Sequence, residues 1–251
     1  MDLQSQVILF AISLLANVFS AFSGGGAGLL QLPLLIFLGL PFNLALATHK
    51  VASVALGIGA TIRHLKENTL ERHFTWFILV TGLPGVVLGA NIILHVEDKN
   101  AQIALGIMMI GLGIYSSLNK QLGQQYLPKR RHIQGYIIGG LGLFIIGMLN
   151  GSLTSGTGLF VTIWLIQWFG LDYKKAVAYT LVLVGLFWNG AGAITLGVLA
   201  EIHWQWLPAL LLGSLLGGYI GAHLSIVKGN LAIKRVFIIV TLVMGVKLIA
   251  G

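Results

Sequence analysis

The first apolar stretch, Val7 to Leu40, is too long for one membrane-spanning helix, and a glycine run, Ser23-Gly24-Gly25-Gly26-Ala27-Gly28, cuts it. A spanning helix needs about 20 apolar residues. A backbone unwound at membrane depth survives only where protein buries it or where it lines a polar cavity. A second break, Thr154-Ser155-Gly156-Thr157-Gly158, follows in the other half of the chain. Two such breaks at matching places in two halves are the best sequence pointer to a transporter binding site.

Composition settles the environment. Only 9% of the 251 residues are charged and mean hydropathy is +0.92. Soluble domains carry roughly 25% charged residues, so too few are present here to cover a soluble surface. The chain reads as an all-α polytopic membrane protein with the lipid bilayer as its solvent. The formal charge of +8 is spread between apolar segments rather than gathered in a patch. That pattern fits the basic bias of cytoplasmic loops and gives no nucleic-acid surface. No cysteine is present, which removes disulfides and thiolate metal sites. The first segment lacks a basic leader and reads as retained structure rather than a cleaved signal.

In order, the pattern predicts helices over Val7–Phe22 and Ala27–Leu38, then Leu44–Ile62, Trp76–Leu94 and Ala101–Leu118. The longest polar loop, Asn119 to His132, holds Lys120, Lys129, Arg130 and Arg131. The plan then repeats as Ile133–Leu149, Gly158–Phe169, Ala176–Leu196, Leu207–Ile226 and Val236–Ile249. Gly26-Ala27-Gly28-Leu29 falls on Gly156-Thr157-Gly158-Leu159, a displacement of about 130 residues, while Gly39-Leu40 falls on Gly170-Leu171 and Gly82 on Gly213. The reading is a first repeat over 1–118, a basic cytoplasmic loop over 119–132 and a second repeat over 133–251. With that loop inside, Arg63–Thr75, Lys174–Lys175 and Lys228–Arg235 are inside, and Glu97–Lys99 and Leu199–Trp204 are outside. Matching loops then take opposite sides if each broken segment enters and leaves on the same side. Two inverted repeats follow, with about eight spans by hydropathy and ten helical pieces.

Candidate binding residues cluster at the breaks. A helix starting after Gly26 or Gly156 points free N–H groups at the break, where they favour an anion. Gly24 and Gly25 let backbone approach a ligand, and Ser23, Thr154 and Ser155 offer hydroxyl donors. Thr48-His49-Lys50 lies inside an apolar helix, where an ionisable residue is a functional hypothesis by default. Lys50 offers charge to an anion and His49 can exchange a proton; snorkelling and core packing are the structural alternatives. The repeat-mate of this triplet is Tyr179-Thr180-Leu181, so a polar position persists at Thr180. Asn150 and Asn189 offer amide donors, or tie helices together. Gly85-x-x-x-Gly89 and Gly213-x-x-x-Gly217-x-x-x-Gly221 read as helix-packing motifs. Asn91 and His223 read as structural, and Arg63, His64, Arg72, Lys129, Arg130 and Arg131 as topology determinants. Trp76, Trp164, Trp168, Trp204 and Trp206 read as interfacial anchors. The chain has no phosphate loop, no His-Glu-x-x-His and no intramembrane aspartate pair, so no catalytic set, metal or cofactor is expected.

These features together resemble the TauE/SafE family of sulfite exporters, also called TSUP permeases. The resemblance rests on Phe22-Ser-Gly-Gly-Gly-Ala-Gly-Leu-Leu-Gln-Leu-Pro33, on Ala47-Thr48-His49-Lys50, on the basic central loop and on the second, degenerate break at Ser155-Gly156-Thr157-Gly158. It implies a secondary carrier of the bacterial inner (plasma) membrane that exports sulfite, organosulfonates or related small anions. Protons are the candidate coupling ion, and nothing assigns an oligomeric state. An anion channel and an intramembrane enzyme are the alternatives from other classes. The topology is directly testable: with no native cysteine, Glu67→Cys and Glu201→Cys should react with an impermeant thiol reagent from opposite faces of the membrane.

Overall fold

The computed structural model describes residues 3–25, 28, 30–67, 70–93, 98–154 and 156–250. These form α1 (Leu3–Ser23), α2 (Gln31–Phe37), α3 (Phe42–His64), α4 (Arg72–Ile92), α5 (Asp98–Leu118), α6 (Ile133–Ser152), α7 (Thr157–Phe169), α8 (Tyr173–Leu199) and α9 (Leu207–Ala250). The middle of α8, Thr180–Trp188, is a π-helix. Gly229, with φ 78° and ψ 177°, splits α9 into two arms. Counted as pieces, the described residues give ten helical segments, in an all-α polytopic membrane fold. Among the described residues, six helices are long and apolar enough to cross a membrane. The seven-residue α2 and the thirteen-residue α7 are the short arms of the broken segments.

Boundaries differ from the sequence pattern in two places. Of the helix expected over Ala27–Leu38, the α-helix of the described residues runs Gln31–Phe37, and Ala27 and Leu29 lie outside the described residues. The polar connection expected over Lys228–Arg235 is a single left-handed glycine, and helix resumes at once. A lone residue in the left-handed region turns the chain without exposing more than a few backbone groups, which the membrane favours.

The broken pairs open toward opposite ends. At one end, Leu127 N and Lys129 N donate to Gly170 O and Phe169 O at 2.9 and 3.1 Å, and Tyr173 N donates to Gly123 O at 2.9 Å. Thus α6 begins and α7 ends against segment 119–132. At the other end, Gln6 Nε2 at the start of α1 donates to Gln205 O at 2.8 Å, and His203 N donates to Thr48 Oγ1 at 2.9 Å. Both contacts involve the turn that joins α8 to α9.

Packing crosses between the halves. The N-terminal helix α1 lies on the first arm of α9, and α4 lies on α6. A Cβ on Gly217 would lie 2.7 Å from Asn17 Cβ, and one on Gly221 would lie 2.6 Å from Ala21 Cβ. About 130 residues on from Asn17 and Ala21, Gly147 and Gly151 sit against the backbone of Gly82, Val86 and Ala90. Small residues let backbones approach where lipid supplies no hydrophobic drive between helices. In the centre α3 crosses the π-helix with Gly57 against the backbone of Gly185.

Segment 119–132 is a strap rather than a free basic loop. The Arg130 guanidinium stacks 4.4 Å over the Trp168 ring and donates to the Gln167 and Trp168 carbonyls. Arg131 lies 4.2 Å over Phe74 and 3.6 Å from Glu71. Tyr126 OH donates to Glu71 Oε1 at 2.9 Å. Burial first, and then that bond, raises the Tyr126 phenol above its ordinary value. Trp164 and Trp168 stack on each other at 5.2 Å and donate to the Gly139 and Gly135 carbonyls, so they pin α7 to α6. Trp76 and Trp204 are exposed, at 66% and 70%, as interfacial anchors are.

A test of the glycine contacts follows. Gly151→Leu should lower the melting temperature in detergent, because overpacking a tight contact costs about 1–3 kcal/mol. Gly111→Leu, where a Cβ meets nothing within 4 Å, should change it little. Circular dichroism melts of both variants check this contrast.

Candidate functional site

The two breaks meet in the middle of the molecule. Gly24 at the end of α1 has φ 74°, and about 130 residues on Thr154 has φ 57°. A β-branched residue held left-handed costs on the order of 1–3 kcal/mol, a strain that concentrates at functional sites. A Cβ on Gly28 would lie 2.7 Å from Thr154 Cγ2, and one on Gly25 would lie 2.8 Å from Leu159 Cδ2. Thr162 Oγ1 of α7 donates to Gly24 O at 3.0 Å. Each break is therefore walled by the other.

Lys50 brings charge to this junction. Its side chain is fully buried, and Nζ donates to Asn150 O at 2.7 Å, Asn150 Oδ1 at 2.9 Å and Asn189 Oδ1 at 3.1 Å. Asn150 belongs to the last turn of α6, whose final carbonyls have no partner within their own helix and carry partial negative charge. An ammonium has three donors, and three neutral oxygens take them. Among the described residues no carboxylate pairs with Lys50. Asn150 Nδ2 in turn donates to Thr157 Oγ1 at 2.8 Å, and Thr157 Oγ1 donates to Thr154 O at 2.9 Å. A chain of bonds thus runs from Lys50 through the end of α6 to the start of α7.

His49 faces a separate polar network. Its Nδ1 lies 2.8 Å from Gln31 Oε1, and Gln31 Nε2 donates to Ser13 Oγ at 2.8 Å and Ser214 Oγ at 3.2 Å. Asn17 Nδ2 joins the same hydroxyls, and every side chain in this cluster is buried.

Between the breaks lies a cavity of about 10 Å³, bordered by Gly28, His49, Asn150, Thr157, Thr180 and Asn189 among others. That is room for about one water molecule. The site is closed in this conformation.

Of the residues singled out in the sequence, His49, Asn150, Thr154, Thr180 and Asn189 border the cavity, and Lys50 is bonded to two of them. Gly24, Gly25 and Gly156 shape the breaks without bordering it. The Ser23 hydroxyl turns back onto Phe19 O and Ser20 O, at 3.0 and 3.3 Å, and offers nothing to a ligand here. Thr48 Oγ1 is taken by His203 N. Gly26 and Ser155 lie outside the described residues. Sequence reasoning missed Thr157, Gln31 and Thr162. Gln31 had a signal: a lone amide in the apolar run Leu29 to Leu35.

The sequence profile of the family described as Sulfite exporter TauE/SafE matches residues 9–248. A probable membrane transporter protein of Haemophilus influenzae is 26% identical over 243 residues, covering 96% of this chain and 93% of the relative. The probable membrane transporter protein YfcA of Escherichia coli K12 is also 26% identical over 243 residues, covering 96% and 88%. YunE of Bacillus subtilis, likewise a probable membrane transporter protein, is 22% identical over 271 residues, covering 98% and 97%. No solved structure matches the chain at a significant level. With the family profile matched along nearly its whole length, this multi-pass membrane chain belongs to the TauE/SafE family of membrane transporters.

Proposed function

We propose that the protein is a secondary transporter, an exporter of small sulfur-containing anions such as sulfite or organosulfonates, working in the inner membrane. The observation that carries the reading is the buried Lys50 ammonium, held only by neutral oxygens beside the cavity where the breaks meet. A charge inside the membrane is expensive, and one without a fixed counter-ion suits a site whose counter-ion is its cargo. An arriving anion competes with the Asn150 and Asn189 oxygens for Nζ and frees the end of α6. The chemistry asks only for a small anion; sulfur comes from the family's description.

The halves are read as inverted repeats over 1–118 and 133–251. Support comes from the oppositely opening broken pairs and from the crossed packing of α1 on α9 and α6 on α4. The 2.8 Å contact of Gln31 with His49 also has a counterpart about 131 residues on, in the 3.0 Å contact of Thr162 with Thr180. Alternating access then comes from one repeat moving against the other. The small closed cavity favours such a carrier over an open anion channel.

Purified protein in liposomes should take up sulfite or methanesulfonate saturably. Lys50→Met should cut that flux at least about tenfold, since it removes the charge and leaves buried carbonyls unpaired. Gly25→Leu, which drives a side chain into Leu159, should abolish it. Flux linear in concentration would indicate a channel, and full flux in both variants would overturn the site.

A further inference from the structure

A backbone carbonyl sets the direction of the buried hydrogen-bond chain that ends at His49. Leu210 O can only accept, so the Ser13 hydroxyl spends its proton there, at 2.9 Å. Ser13 Oγ is then an acceptor toward its other neighbours, Gln31 Nε2 at 2.8 Å, Ser214 Oγ at 3.2 Å and Asn17 Nδ2 at 3.3 Å. Turning the Gln31 amide round would set Oε1 at 2.8 Å against the Ser13 hydroxyl, which has no proton left to give, and would leave only the longer 3.2 Å contact with Ser214 able to donate to it. Gln31 Oε1 therefore faces His49 Nδ1, at 2.8 Å. Because that oxygen only accepts, Nδ1 carries the imidazole proton. In the neutral ring Nε2 is then the lone-pair nitrogen. The ring borders the cavity, and Nε2 has no partner among the described residues.

Every element around His49 presents neutral groups: Ser13 and Asn17 from α1, Gln31 from α2, Asn150 from α6, Thr180 and Asn189 from α8, and Ser214 from α9. The ionisable groups nearby are Lys50, next in the chain, and His203, whose backbone N–H binds Thr48. The site thus offers one positive charge, on Lys50 behind the Asn150 and Asn189 amides, and one lone pair on the cavity wall, at His49 Nε2.

We propose that His49 is the proton acceptor of the anion site, with Gln31 as the positioning residue that leaves Nε2 free, so that each anion is taken together with one proton. The inference rests on the anion-transport reading above. A bare anion oxygen against Nε2 sets lone pair against lone pair. An oxyanion that still carries an O–H meets Nε2 as a donor. If the proton transfers, the O–H bond breaks, its electron pair stays on the substrate oxygen and an Nε2–H bond forms. A fully ionised anion such as a sulfonate binds only after the ring has taken a proton from water, which gives the same total of one anion and one proton.

The test uses the full chain in liposomes with an entrapped pH-sensitive dye and methanesulfonate as probe, an anion that brings no proton of its own. In wild type an imposed inside-alkaline gradient should drive uphill uptake, with one proton moving per anion; the same coupling carries the anion outward when its own gradient points out. His49→Gln should reduce proton movement and the gradient response at least about a hundredfold, the lower end of what a positioned acid–base group contributes. Gln31→Leu keeps the imidazole but frees its tautomer, and should shift the pH profile of uptake. Gln31→Glu, which keeps an acceptor at Nδ1, should restore coupling. An unchanged proton-to-anion ratio in His49→Gln, or a wild-type pH profile in Gln31→Leu, overturns the inference. Should His49→Gln fail to fold, the Gln31 pair decides. Saturable uptake by wild type without proton movement overturns this inference alone, whereas no saturable uptake of methanesulfonate or sulfite overturns the transport reading beneath it.

Discussion

A single ammonium, that of Lys50, held by three neutral oxygens in the middle of an apolar protein, dictates what the surrounding chain must do. An unpaired charge at that depth is costly, and the protein offsets it with dipoles. The strongest available dipole is a helix C-terminus, so α6 must stop inside the membrane and present its Asn150 carbonyl. The stop requires a break, the break requires the left-handed Thr154 and Gly156, and α7 must restart at once to bond the exposed backbone. Asn189 supplies the third oxygen from the first turn beyond the π-helix. What looks like a collection of irregularities is one solution to one electrostatic problem.

The solution works only if backbones come close. Lys50 on α3 reaches the end of α6 because α3 lies directly on the π-helix, glycine against glycine at 57 and 185. The crossed contacts of α1 with α9 and of α4 with α6 are equally tight, and they hold each broken segment to the opposite half. Close packing leaves a cavity for about one water. On the proposed carrier reading, the charge is exposed only by separating these interfaces, as a gated site requires.

Much of this was legible in the sequence because membrane chemistry leaves few choices. Apolar length gave the helices, and the glycine clusters gave the breaks, since nothing else unwinds a helix in lipid so cheaply. Lys50, Asn150 and Asn189 stood out as polar residues in apolar runs, and the fold brings them together. The failures have physical causes too. Ser23 and Thr48 were selected by residue type, but a hydroxyl in a helix can bond its own turn, as Ser23 does, or a distant backbone N–H, as Thr48 does with His203. Arg130 and Arg131 also stack on Trp168 and Phe74, a packing role that the sequence does not show. Gln31 was overlooked because its importance lies in direction, and direction comes from Leu210 O, nearly two hundred residues away.

The unequal halves follow from the same electrostatics. On the two-repeat reading, His49 and Lys50 correspond to Thr180 and Leu181, and Gln31 corresponds to Thr162. The polar pair survives as Thr162 with Thr180, but the charge does not. A second lysine in the mirrored place would aim at the same small cavity. Two ammonium groups about 8 Å apart at an effective dielectric near 20 repel by about 2 kcal/mol, on top of the cost of burying another charge. A symmetric site would also hold twice the charge that a monoanion can neutralise. Replacing one lysine by leucine keeps the architecture two-fold while leaving the site singly charged. On the proposed reading the first half supplies cation and proton acceptor, and the second supplies the helix end that holds the cation until an anion takes its place.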